Sequence, residues 1–286
     1  MKRYLEKDVY QATMERIKFI FENFDNIYVS FSGGKDSGLL LNLVLDYKRK
    51  NNIKKKIGVF HQDFEAQYQE TTNFVYRMFE DNLEDIEPYW VCLPMGSRCA
   101  VSNFQIYWYP WDPDKKDLWV RPMPTMPYII NLDNQIFDFY RPKMVQEDLY
   151  AEFGDWYSKQ KQGKTICLLG VRTDESLNRY RAYANVRKQI MKNAQWTTKM
   201  GENWYNAYPL YDWTTKDVWV ANGKFGFDYN KIYDLYYKAG LSIHQMRVAS
   251  PYHESAKESL NLYRILEPAT WVKVVGRVQG ANFGAI

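Results

Sequence analysis

Over residues 10–93 the chain alternates between two apolar patterns. From 10 to 24, apolar side chains fall at Met14, Ile17, Phe19, Ile20, Phe21 and Phe24, close to a helical period. The run 26–31 is short, β-branched and aromatic, and predicts a strand. A leucine-rich segment at 37–47 predicts a helix, 56–60 a second strand, 66–80 a helix and 89–93 a third strand. Farther on, TICLLGV from Thr165 reads as a compact buried strand, followed by a charged helix over 174–192. Near-continuous apolar strands separated by helices predict an α/β protein whose parallel sheet is covered on both faces.

Two regions break the alternation. Residues 94–143 include YWYPWDPDKKDLWVRPMPTMPY and keep no period, so they predict an ordered insertion or a lid rather than disorder. From Tyr211 onward the pattern is helical, with Thr214 as a cap and Asp217 three residues later. The expected organisation is a single domain: an α/β half at 1–93, the aromatic insertion at 94–143, a second α/β half at 144–220 and a helical C-terminal part at 221–286.

Composition adjusts this picture only slightly. Aromatic residues make up 17% of the 286 positions, which points to a large aromatic core and cleft surface. The net charge of +4 is too small to indicate a nucleic-acid protein by itself. No apolar run reaches the length of a membrane span, and MKRYLEKDVYQATMER lacks the apolar core of a signal peptide. Three cysteines, Cys92, Cys99 and Cys167, make no disulfide framework and suit a reducing cytoplasm. They do not supply four iron–sulfur ligands, and His61, His244 and His253 show no zinc spacing.

The candidate chemistry sits in IYVSFSGGKDSGLLLNLVL, which starts at Ile27. Ser32-Gly33-Gly34-Lys35-Asp36-Ser37 lies between the first strand and its helix. Gly33 and Gly34 permit positive φ and a close ligand approach, and the helix N-terminus favours an anion. Lys35 adds a charge, and Ser32 and Ser37 add hydroxyl donors. Asp36 is either a helix cap or a carboxylate for a magnesium ion shared with phosphates. The spacing is neither GxxxxGK[ST] nor GxGxxG.

After an apolar strand, SGGKDS resembles the pyrophosphate-binding loop of the ATP pyrophosphatase (PP-loop), or adenine nucleotide α-hydrolase-like, superfamily. FHQDFEAQYQET from Phe60 resembles the second-strand motif of phosphoadenosine phosphosulfate (PAPS) reductases. LLGVRTDESLNR from Leu168 resembles their G-x-R-x-x-x-S-x-x-R element, and PLYDWTTKDVW from Pro209 their P-L-x-x-W-x-x-x-D-V-W segment. The remainder, including WYPWDP, WVRPMP and RVASPYHESAKESLNLYRILEPATW, most resembles the uncharacterised IbrA/YbdN-type branch of the PAPS-reductase-like family. The resemblance implies a Rossmann-like (HUP-type) five-stranded parallel sheet with the loop at its carboxyl edge.

It also implies roles. Ser32, Gly33, Gly34, Lys35, Asp36, Ser37, Asp63, Gly170, Arg172 and Arg179 would bind the nucleotide, with Lys35, Asp36 and Arg172 as catalytic candidates. Asp63, just past the second strand, would meet the ribose or, with Asp36, a Mg²⁺; its plainer role is to cap the next helix. Gln62 and His61 are weaker candidates for a base pocket. Arg172 and Arg179 can clamp a sulfate or phosphate, or form surface ion pairs with Asp174 or Glu175. Arg181 and Arg187 read as solvated. The basic run 48–56 reads as a solvated loop, with a nucleic-acid contact as the minor alternative. The insertion is either an aromatic cluster or a base-stacking surface.

The chain departs from PAPS reductases in one respect: the C-terminal E-C-G-[IL]-H nucleophile is absent, and no cysteine follows Cys167. The expected activity is therefore cleavage of ATP, or of a sulfonucleotide, at the α-phosphate to activate an acceptor. The alternatives are sulfonucleotide reduction with a partner's thiol, or a nucleotide-gated regulatory subunit working with a ParB/sulfiredoxin-like protein.

Overall fold

The computed structural model describes residues 6–184, 189–191, 194–254 and 260–281. In chain order it runs α1 (Val9–Asn23), β1 (Asn26–Ser30), α2 (Lys35–Lys50), β2 (Ile57–Gln62), α3 (Gln69–Glu80) and β3 (Ile86–Val91). The insertion follows as β4 (Ser97–Arg98), β5 (Tyr107–Trp108), a short 3-10 segment (Pro113–Leu118) and β6 (Ile129–Ile130). Then come α4 (Gln146–Lys161), β7 (Thr165–Leu169), α5 (Leu177–Ala184), β8 (Thr197–Lys199) and β9 (Trp204–Ala207). The C-terminal helices are α6 (Thr215–Phe225), α7 (Ile232–Lys238), α8 (Leu260–Leu266) and α9 (Pro268–Arg277).

The central sheet has seven strands in the order β6-β3-β2-β1-β7-β9-β8, where five were expected. β1 pairs in parallel with β2 on one side and β7 on the other, with Ser30 opposite Phe60 and Leu169. β9 extends the sheet in parallel from β7, and β8 closes that edge antiparallel to β9. The strands that the apolar pattern does not announce are short: β6 is II, β9 is WYNA and β8 is TTK.

The chain divides into two compact units, Met1–Phe60 with Asn82–Glu87 and Gly154–Tyr229, and His61–Asp81 with Pro88–Phe153 and Asn230–Ile286. In the first unit, α1 starts at a capping box in which Asp8 accepts from the Gln11 amide at 2.7 Å. Ile17 and Ile20 of α1 are buried. Its polar side grips the segment before α6: Arg16 forks onto Asp212 at 2.6 and 2.8 Å, and Thr13 donates to the Pro209 carbonyl at 3.1 Å. The Trp213 indole donates back to Thr13 Oγ1 at 2.8 Å. α6 opens on Thr214 and Asp217, the capping pair expected from the sequence, and ends at Gly226 in the left-handed region.

In the second unit the insertion is anchored more than it is paired. β6 adds two residues to the edge of β3, and β4 pairs with β5. Most of the segment has no ladder, and a buried carboxylate takes over part of that task. Glu65 is fully buried and accepts from the backbone N–H of Trp111 at 2.7 Å and of Val120 at 3.0 Å. The Arg277 guanidinium on α9 completes its shell at 2.8 and 3.2 Å and donates to the Tyr109 carbonyl at 2.6 Å. A buried pair of this kind is weak evidence of net stability, but breaking it leaves a charge stranded. Arg277→Leu is expected to lower stability by about 3–5 kcal/mol. Urea titration should register this as a lower midpoint, with part of the loss recovered in the Glu65→Gln/Arg277→Leu double variant.

Candidate functional site

The strand–loop–helix unit at 26–50 is built as the sequence suggests. Phe31 extends the ladder past β1 by donating to the Phe60 carbonyl at 2.8 Å. The chain then turns at Gly33, whose φ of +74° lies in the left-handed region that a side chain resists. Ser37 closes the loop from within: its hydroxyl accepts from the Ser32 N–H at 3.2 Å, lies 2.9 Å from the Ser32 hydroxyl and donates to the Gly34 carbonyl at 3.2 Å. Gly34 is the N-cap of α2 and supplies no capping side chain, the arrangement that suits a helix terminus to an external anion.

The charged residues of the loop form a cluster. Asp36 holds Arg172 Nε at 2.7 Å and lies 3.2 Å from Lys35 Nζ. Lys35 and Arg172 are both buried, and the Arg172 guanidinium also reaches the Trp213 carbonyl at 3.4 Å. Asp36 thus touches two cations beside the helix N-terminus. Gly170 makes the contact between β7 and α2 feasible, since a Cβ there would stand 2.7 Å from the Ser37 amide nitrogen and 2.9 Å from the Asp36 carbonyl carbon. Three motifs separated in sequence, SGGKDS, LLGVRTDE and PLYDW, thus meet in the first unit. The part played by the Trp213 carbonyl carries no sequence signal.

Arg179 does not join this cluster. Arg172 precedes α5 on a turn, whereas Arg179 lies within α5, so the seven-residue spacing does not place them on one helical face. Arg179 is half exposed and lies 3.7 Å from Glu175, an i,i+4 surface pair. Arg181 is exposed, and Arg187 lies outside the described residues. The basic run is consumed locally: Lys48 and Arg49 pair with Asp85, Lys50 with Asp46, and Lys55 and Lys56 donate to the carbonyls of Asp25 and Leu83.

Asp63 belongs to the second unit, where it caps a turn rather than a helix. It accepts from the Glu65 amide at 2.8 Å and the Trp90 indole at 2.8 Å, and both its oxygens sit on one nitrogen of Arg121. Arg121 is a residue the sequence reading did not single out. Burial pushes the Asp63 carboxyl up, but the Arg121 guanidinium, with His61 and the Glu65 amide, outweighs it and holds the group below the usual carboxylate range. Gln62 is buried with neither amide atom hydrogen-bonded, and His61 packs edge-on to Trp90 at 5.3 Å.

Neither acidic candidate fits a protein-held magnesium ion. Asp36 is held by Lys35 and Arg172, Asp63 by Arg121, and no group of three or more metal-ligating side chains occurs among the described residues. The thiols are quiet too. Burial pushes Cys167 up to about 12 and Cys92 well above its ordinary value, and raises Cys99.

The sheet, with a glycine loop and a cationic cluster at the end of its central strands, makes this a Rossmann-like α/β protein. The chain belongs to the YbdN family. It is 36% identical over 286 residues to the uncharacterized protein YbdN of Escherichia coli (strain K12), covering 99% of this chain and 68% of that protein. Residues 240–286 match the family described as domain of unknown function DUF3440. Solved structures with similarity include PAPS reductase from Candida auris in a phosphate complex, at TM-score 0.42 and 12% identity, covering 82% of this chain and 93% of that one. Candida glabrata FMN adenylyltransferase with FMN and AMPCPP gives TM-score 0.45 and 14% identity over 82% of this chain and 64% of that one. The U34-tRNA thiolase NcsA from Methanococcus maripaludis gives 0.43 and 11% over 96% and 80%. No helix among the described residues is long and apolar enough to cross a membrane.

Two outcomes are expected. Gly170→Ala should force the first turn of α2 away from β7, costing about 1–3 kcal/mol in urea denaturation and shifting the Ser37 amide resonance. Asp63 has its folded pKa below its unfolded one, so in the window between them the unfolded chain binds a proton that the folded chain does not. The stability difference between wild type and Asp63→Asn should therefore be full above the ordinary carboxylate pKa and shrink as pH falls through the folded one. A pH-independent difference in paired denaturation curves would contradict this.

Proposed function

We propose that the chain binds an adenine nucleotide with its phosphates on 32–37, and cleaves ATP between the α- and β-phosphates to adenylylate an acceptor. The observation that carries this reading is the Lys35–Asp36–Arg172 cluster at a helix N-terminus with no capping side chain. In the step, an acceptor oxygen or nitrogen attacks the α-phosphorus, the bond to the bridging oxygen breaks, and pyrophosphate leaves with the electron pair. The acceptor's proton passes to water. Lys35 and Arg172 would balance the charge growing on the leaving group, and Asp36 would hold both cations in place before the substrate arrives. Gly33 and Gly34 let the phosphates reach the backbone donors.

The sulfonucleotide alternative needs a thiol from a partner, because all three cysteines here are raised by burial. Nothing in the geometry favours it, or the regulatory alternative with a ParB/sulfiredoxin-like protein, over adenylyl transfer. Calorimetry and product analysis test the reading. ATP should bind, Lys35→Ala should weaken binding or turnover by about 10²-fold, and the labelled products should be an adenylylated acceptor or AMP together with pyrophosphate. ADP and orthophosphate as sole products would overturn it.

A further inference from the structure

Neither Thr13 nor Arg16 of α1 lies in SGGKDS, LLGVRTDE or PLYDW, yet both bond to the segment that holds Arg172. Thr13 shares the buried face of α1 with Ile17 and Ile20 and is fully buried itself. A helical threonine commonly returns its hydroxyl to a carbonyl of the preceding turn. Thr13 instead donates outward to the Pro209 carbonyl at 3.1 Å and accepts the Trp213 indole N–H at 2.8 Å. Arg16, one turn on, donates to the same Pro209 carbonyl at 2.7 Å, forks onto Asp212 and lies 4.4 Å from the Tyr211 ring centroid. Residues 209–213 form turns with no strand or helix of their own, so these side chains fix where the segment lies.

The segment in turn holds the residues just past β7. The Tyr211 carbonyl accepts from the Thr173 N–H at 2.9 Å and from its hydroxyl at 2.8 Å. The Trp213 carbonyl accepts from Arg172 Nη1 at 3.4 Å, and Arg172 Nε donates to Asp36 at 2.7 Å. All of these contacts lie within the first unit. The link at 3.4 Å is close to the limit of a hydrogen bond, so a small shift of Trp213 breaks it first. A guanidinium held at two nitrogens has its plane set, whereas one held at Nε alone can turn.

We propose that Thr13 and Arg16 are positioning residues for the phosphate site: through 209–213 they set the plane of the Arg172 guanidinium before a nucleotide arrives. The functional half of this rests on the adenine-nucleotide reading, and the structural half is tested without ligand. The probe is the Arg172 Nε–H resonance, assigned by its loss in Arg172→Lys. Thr13→Val nearly keeps the side-chain shape and removes the hydroxyl, and should speed exchange of that proton with water by about tenfold or more. Thr13→Ser should restore the slow exchange, and Arg16→Lys, which keeps the charge but not the fork, should speed it. In calorimetry with ATP, Thr13→Val should raise the dissociation constant roughly fivefold, the worth of one hydrogen bond, and Thr13→Ser should recover it. In the Arg172→Lys background Thr13→Val should change ATP affinity no further, because its effect passes through Arg172. A shifted Trp213 indole resonance beside an unchanged Arg172 Nε–H, in Thr13→Val or Arg16→Lys, would overturn the proposal. An equal loss of ATP affinity in the Arg172→Lys background would do the same. A wild type that binds no ATP while the Arg172 resonance responds as expected would support the positioning and strike the nucleotide reading.

Discussion

The ion pair between Asp36 and Arg172 is the constraint on which the architecture of the first unit turns. The parallel register of β1 and β7 sets Ser30 opposite Leu169, so the two strands finish side by side. Gly170 then lets the first turn of α2 lie against the end of β7. With the backbones this close, a carboxylate in the first turn of α2 meets a guanidinium just past β7 with no freedom to reach elsewhere. Asp36 also suits the positive end of its own helix. Without it, Lys35 and Arg172 would face each other as like charges in a buried setting, which explains an aspartate inside a loop suited to anions.

The second unit solves a different problem with the same chemistry. An insertion with little regular pairing has backbone donors that must be satisfied before it can be buried. Glu65 accepts two of them and is itself neutralised from α9, while Asp63 does the corresponding work for the Glu65 amide and the Trp90 indole. Desolvating these carboxylates is expensive, and each is offset by an arginine. The arrangement ties residues 240–286 chemically to the strand-end motif, since Arg277 lies in that segment and Glu65 in FHQDFEAQYQET.

How much of this could be read beforehand depended on distance along the chain. α1, β1, β2 and the Thr214 cap follow from local periodicity and appear within a few residues of their expected bounds. The glycine loop is legible for the same reason, because its conformation is set by Gly33, Gly34 and the two serines. The third strand starts earlier than its apolar run suggests, and α3 begins at Gln69 rather than 66 because the chain continues as a bend over 65–67 after the Asp63–Glu65 turn. α4 was missed, as its buried positions are spread among aromatic and polar side chains. The resemblance put Asp36 and Arg172 at one site but did not pair them, and the other long-range partners were illegible: Arg172 lies 136 positions from Asp36, Arg121 58 from Asp63, and Arg277 212 from Glu65. No pattern in a single sequence pairs charges across such intervals.

These pairings bear on what chemistry the chain can carry. A nucleophile needs either an open position or a lowered pKa, and Asp36, Asp63 and Glu65 are held by arginines while the three thiols are raised by burial. Cys167 has the Tyr28 side chain beside it and no cation among its influences. Neither these carboxylates nor the thiols offer an activated nucleophile, whereas on the proposed reading the loop cluster would hold a polyanion still. Catalysis in such a site would come from position and charge, with the attacking atom brought by the acceptor. Electrostatic preorganisation is then the only large lever these residues offer, and Asp36, which touches both cations, is the residue that sets it.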